Sequence, residues 1–228
     1  MIGIIAAENE EMKAILNLMS DIKEEKIYNL TFYIGKVHSK DVALVECGVG
    51  KVNSARVTQI LIDKYNPDVM LNVGVAGGLN PELNVGDMVV SESLIQYDFD
   101  ATSLGKYEKG EVCDTGRYFK ADERLINIAK SVLEEENINF IVGKIATADI
   151  FVSEVDFLEY IRSEFDCECT EMEGAAMAQV CFLCNIPFVV IRGISDTPNG
   201  NNTIDFRTYL SMVAKQVGSI TNKMLEQI

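Results

Sequence analysis

The sequence predicts an α/β protein with a mainly parallel or mixed sheet covered by helices on both faces. Three observations support that expectation. Short apolar, β-branched runs alternate with segments whose apolar residues recur at helical spacing. A glycine cluster, Gly74-Val75-Ala76-Gly77-Gly78, follows directly on one apolar run, which reads as a turn after a strand. The chain has 228 residues, 48% hydrophobic and 24% charged. A chain of that size can bury roughly 70% of its unfolded surface, and residues 1–228 read as one domain.

The elements follow in order. Ile2 to Ala7 is a short apolar strand, and Glu10 to Met19 sets Met12, Ile15, Leu16 and Met19 at helical spacing. Leu30 to Val37 and Val42 to Cys47 read as paired strands. Lys51 to Tyr65 is helical and ends before Pro67. Val69 to Val73 is the strand that enters the glycine turn, and Met88 to Tyr97 is another strand. The polar stretch from Asp98 to Phe119 is long for a passive connection, so it reads as a functional flap or interface segment. Asp122 to Glu136 is a helix, Phe140 to Thr147 a strand, and Val155 to Phe165 a helix. Glu173 to Leu183 is a helix rich in small residues, Phe188 to Ile191 a buried strand, and Phe206 begins the final helix.

Composition excludes some partners. Thirty-five acidic residues against 20 basic ones leave a net charge of −15, which disfavours nucleic acid and anionic membrane surfaces. No apolar run approaches the ~20 residues of a membrane span, and the N-terminus has no cationic leader, so a cytoplasmic protein is expected. The cysteines include Cys167/Cys169 and Cys181/Cys184, spacings that invite a metal reading. Against it, a helical segment separates the pairs, the lone histidine, His38, is distant, and Cys181 and Cys184 lie in an apolar stretch. Buried thiols are expected and no metal.

In such sheets ligands bind beyond the carboxyl ends of the strands. Four segments sit there: Ala7 to Glu11, Gly74 to Gly78, Thr170 to Glu173 and Arg192 to Asp196. Gly48-Val49-Gly50-Lys51 lacks the spacing of a phosphate loop. Glu11, Glu173 and Asp196 fall at different strand ends, where three carboxylates can converge on one cleft as hydrolysis of a sugar bond requires. Taken singly, each also reads as a helix-start or capping acid.

Further segments complete a recognisable set. Ile2-Gly3-Ile4-Ile5 with Glu10-Glu11, Gly48-Val49-Gly50-Lys51-Val52 and Asn72 to Gly78 occur in order with Glu171-Met172-Glu173-Gly174-Ala175-Ala176 and Val190-Ile191-Arg192-Gly193-Ile194-Ser195-Asp196. Together they resemble the bacterial methylthioadenosine/S-adenosylhomocysteine nucleosidase family, within the purine nucleoside phosphorylase superfamily. The resemblance implies a three-layer α/β/α fold with a central mixed, partly barrel-like sheet, usually in a homodimer. It implies hydrolysis of the N-glycosidic bond of 5′-methylthioadenosine and S-adenosylhomocysteine, with 5′-deoxyadenosine a further candidate, and no metal or organic cofactor.

By the same resemblance, Asp196 protonates adenine N7 with Ser195 as its hydrogen-bonding neighbour, and Glu11 activates the attacking water. Glu173 and the Met172 backbone hold the ribose hydroxyls. Phe151 stacks on adenine, and the Val152 backbone meets the base edge. Ala76 and Gly77 bring backbone close to the ligand, and Arg192 orients a carboxylate in the water-binding corner. Phe206 and the 98–119 stretch, from a partner subunit, close over the 5′ substituent. Three positions depart from the family pattern: Glu8 where Met is common, Val75 where a small hydroxyl residue is common, and Gly193 where Ala or Ser is common. Glu8 is expected to raise the pKa of Glu11 or to turn outward, and Val75 to remove a hydrogen bond worth about 1 kcal/mol. Gly193 is expected to loosen the strand end before Asp196. A futalosine-type hydrolase, a phosphorylase of the same fold and a nucleoside-binding protein with weak turnover are the alternatives.

Overall fold

β1 (Ile2–Ala6) is buried at every position, so its sequence is a continuous apolar run without alternation. It lies parallel between β4 (Lys40–Glu46) and β5 (Val69–Gly78), with Ile4 opposite Leu44 on one side and Leu71 on the other. The computed structural model describes residues 1–197 and the helix that begins at Phe206, whose side chains are described from Tyr209 onward. Beyond β4, the strands β3 (Leu30–Val37) and β2 (Ser20–Ile27) continue the sheet antiparallel.

On its other side β5 pairs in parallel with β10 (Phe188–Asp196), which pairs antiparallel with β6 (Met88–Gln96). β6 runs parallel to β8 (Phe140–Thr147), and β8 to β9 (Cys169–Glu171). β9 then returns antiparallel to β5 through Gly77 and Gly78. These five strands close on themselves, and β1, β4, β3 and β2 extend from β5 as an open wing. A two-residue β7 (Phe119–Lys120) pairs with β6.

Alternation along the strands divides the core between the two faces. Ile2, Ile4 and Ala6 pack in one cluster with α1 (Asn9–Leu16), α3 (Glu123–Glu135) and α6 (Phe206–Gln227). Ile5 faces the opposite way, with Val57 and Leu61 of α2 (Lys51–Tyr65) and Ala175, Ala178 and Cys181 of α5 (Gly174–Cys184). A third cluster joins Ile95 and Tyr97 to Leu158, Ile161 and Phe165 of α4 (Val155–Phe165). The expected layered fold with a mixed, partly barrel-like sheet is what forms.

Some expectations are corrected. Gly74 to Gly78 is not a turn: it continues β5, paired with β10 on one edge and β9 on the other. β10 likewise continues past Ile191 to Asp196. β2 has no counterpart in the sequence reading, because it is a mostly exposed strand with little apolar alternation. α1 stops at Leu16, although Met19 beyond it is buried. Gly193 does not loosen its strand. A Cβ there would lie 2.2 Å from Val213 Cγ1, so glycine is what lets α6 pack flat on β10. Within the 98–119 stretch lie a single 3-10 turn, Thr102–Leu104, and a bridge between Val112 and Gly116.

Candidate active site

All four segments singled out at strand ends contribute to one cleft. Its walls are Ala7, Glu8, Glu11, Val49, Val75 to Gly77, Ile150 to Val152, Thr170 to Glu173 and Asp196.

Glu11 stands in the first turn of α1, where a carboxylate favours the helix dipole. Its Oε2 accepts from the amides of Ala7 and Glu8, each at 2.9 Å, and its Oε1 from the amide of Val75 at 2.9 Å. A Cβ on Gly74 would fall 2.6 Å from Oε1, so β5 needs glycine for Glu11 to dock. Burial raises the Glu11 pKa, and the Arg192 charge and the three amides offset only part of that rise. The expected upward push from Glu8 is corrected. What Glu8 supplies is its backbone amide, which lowers the Glu11 pKa, while Glu8 itself faces the cleft.

Glu173 precedes α5, and its Oε1 accepts from the amide of Gly50 at 2.9 Å. Gly50 has φ of +104°, a conformation that favours glycine. Burial first and the neighbouring Glu171 second push the Glu173 pKa up to about 8, with Arg192 opposing.

Glu171 is the residue the sequence reading left without a role. It is buried, accepts from Thr147 Oγ1, and receives the amide of Gly174 at 2.7 Å on Oε2. Arg192, 1% exposed, forms its ion pair with that same carboxylate and also donates to Asn72 Oδ1. Arg192 is therefore tied directly to Glu171, and it reaches Glu11 and Glu173 through its charge. The clue in the sequence was proximity: Glu171 lies two residues before Glu173, where β9 gives way to α5.

Asp196 ends β10 beside Gly77 of β5. Ser195 Oγ lies 2.7 Å from Asp196 Oδ1 and 3.2 Å from the carbonyl of Ala76. A Cβ on Gly77 would sit 3.1 Å from Asp196 Oδ2.

Phe151 is 63% exposed on the rim and is not a core side chain, whereas Val152 is half-buried and packs on the third cluster. Met172 lines the cleft, and the side chain of Phe206 lies outside the described residues. Among the described lining residues none is Lys or Arg. Lys51 pairs with Asp98, and Arg56 donates to Asn29. All six cysteines carry free thiols, and burial pushes Cys167 up to about 12. No described helix is long and apolar enough to cross a membrane.

The family model described as the phosphorylase superfamily matches residues 1–226. A 5′-methylthioadenosine/S-adenosylhomocysteine nucleosidase of Staphylococcus haemolyticus is 37% identical over 227 residues, covering 99% of each chain. The structure of the Campylobacter jejuni 5′-methylthioadenosine/S-adenosyl homocysteine nucleosidase superposes with a TM-score of 0.94 at 34% identity, over 100% of this chain and 99% of that one. The futalosine hydrolase of Helicobacter pylori matches with a TM-score of 0.94 at 31% identity, over 100% and 97%. With full-length identity and fold in agreement, the chain belongs to the phosphorylase superfamily and, within it, to the 5′-methylthioadenosine/S-adenosylhomocysteine nucleosidase family.

Proposed function

We propose that the protein hydrolyses the N-glycosidic bond of 5′-methylthioadenosine and S-adenosylhomocysteine, releasing adenine and the 5-thio-substituted ribose. The observation that carries this reading is the meeting of Glu11, Glu173 and Asp196 in one cleft whose described lining has no basic side chain.

Asp196 is the general acid. Protonating adenine N7 turns a poor anionic leaving group into a neutral one, and the Ser195 hydroxyl is placed to manage that proton. Glu11 is the base. Its carboxylate is fixed by three amides, and burial makes it a better proton acceptor than an exposed glutamate. Glu173 holds the ribose hydroxyls together with the Met172 backbone, and in its ionised form it faces the cationic, oxocarbenium-like transition state. Phe151 stacks on the base, the Val152 backbone meets its edge, and Ala76 and Gly77 form the adjoining wall.

A phosphorolytic enzyme needs donors for a phosphate, and arginine is the residue best shaped to supply them. Arg192 Nη2 is taken up by Glu171 and Asn72, and the described cleft lining holds no Lys or Arg, which favours water as the nucleophile. Measuring adenine release from methylthioadenosine with and without phosphate tests this. Equal rates are expected, and a strict phosphate requirement overturns it. The likeness to a futalosine hydrolase supports adding futalosine to the substrate panel.

Exposed apolar side chains gather around the cleft: Val49, Ile150 and Phe151 on its rim, with Val52 and Val155 beginning the adjacent helices. They support a homodimer in which Phe206 and the 98–119 stretch of the partner complete the 5′ subsite. Six free thiols fit a reducing compartment such as the cytoplasm.

A further inference from the structure

Outside the carboxylate cluster, one set of hydrogen bonds links two walls of the cleft and has no part in the chemistry above. β6 and β8 are parallel and in register at their carboxyl ends, with Gln96 opposite Thr147. Continued two residues further, that register sets Asp98 beside Asp149. Neighbouring carboxylates on adjacent strands repel, and Lys51 supplies what holds them. Its Nζ lies 2.6 Å from Asp98 Oδ1, and its backbone N–H donates to Asp149 Oδ1 at 2.8 Å. The N–H of Asp149 donates to Asp98 Oδ2 at 3.1 Å, which closes the ring. The Lys51 and Asp98 side chains are only 17% and 19% exposed, so solvent screens this pair less than an open surface pair.

The ring joins two walls with different tasks. Lys51 follows Gly50, whose amide holds Glu173. Two consecutive amides at the start of α2 therefore hold a cleft carboxylate and the ring. Asp149 immediately precedes Ile150, Phe151 and Val152, the opposite wall. A Cβ on Gly50 would come 3.1 Å from Asp149 Oδ1, which shows how closely the two segments approach.

We infer that Asp98 is a positioning residue: through Lys51 and Asp149 it holds the 150–152 wall at the separation from Glu173 that admits a planar purine base. The identity of that ligand rests on the nucleosidase reading; the clasp itself does not.

Asp98→Asn keeps an acceptor for the Asp149 amide but presents Lys51 with no charge. Adenine affinity should fall and KM should rise, each about tenfold, with kcat within about twofold. Amide exchange in residues 148–152 should accelerate while the bulk of β5 and β10 keeps its protection. Lys51→Met should do the same, and the double variant should be no worse than either single one. It also serves as the second probe where Asp98→Asn folds poorly. Unchanged adenine affinity and exchange, a fall in kcat at constant KM, or additive effects in the double variant would overturn the clasp. Wild-type adenine release reads the underlying assignment separately. If none occurs and the variant still speeds exchange at 148–152, the nucleosidase reading fails and the clasp stands.

Discussion

Glu173 is the side chain whose environment makes the most pointed demands. With its carboxyl raised to about 8 in the native protein and near 4.3 when unfolded, it is largely protonated at neutral pH only in the folded chain. Between those values the unfolded state binds fewer protons, so stability falls as pH rises toward 8. Glu173→Gln keeps the acceptor for Gly50 and removes this dependence. Its melting temperature should exceed that of the wild type at pH 8–9, with the gap closing toward pH 4.5, as thermal scans across pH will show. Activity should run the other way: kcat/KM of the wild type should rise through pH 8 as Glu173 ionises, and the Gln variant should lack that rise. At Asp196 the expectation is chemical. Asp196→Asn should lower kcat about 10²–10⁴-fold while substrate still binds. Equal adenine release by variant and wild type would remove Asp196 as the acid.

Among the elements, β5 and β10 depend on glycine for two separate reasons. Gly193→Ala drives a methyl into Val213 and should cost about 1–3 kcal/mol in denaturant unfolding. Gly74→Ala meets Glu11 instead. It should cost more activity than stability, because the carboxylate must leave the Val75 amide. The sequence made the buried strands legible, since continuous runs such as Ile2 to Ala6 and Phe188 to Ile191 have few other uses. It hid β2, whose exposed residues leave no periodic trace, and it disguised the ends of β5 and β10, where glycines read as a turn. The site was legible to the same degree. Glu11, Glu173 and Asp196 stood out at strand ends, but Glu171 did not, because its importance lies in Arg192 and Thr147, which are distant in sequence and adjacent only after the barrel closes.

On the scale of the whole molecule, the cleft opens among apolar side chains that a lone chain leaves in water. Val52, at the start of α2, is 78% exposed and is not a cleft residue. Val52→Asp should shift the proposed homodimer toward monomer in light scattering, with the melting temperature of the isolated fold little changed. If closure of the 5′ subsite comes from a partner, the KM for methylthioadenosine should rise as the monomer forms. The net charge of −15 belongs to the same picture: a mutually repelling exterior leaves association to the apolar patches.

β5 also bears on the handedness of the product. It seats Glu11 at Gly74 and Asp196 at Gly77, so the proposed base and the proposed acid rest at separate points of one strand. With Asp196 assigned to the departing base and Glu11 to a water, no carboxylate is assigned as a nucleophile, and water attacks the sugar on the face opposite the leaving group. A β-nucleoside should therefore give the α-anomer of the free sugar first. Proton spectra recorded before mutarotation can read that configuration directly, and a β-anomer appearing first would count against direct attack by water.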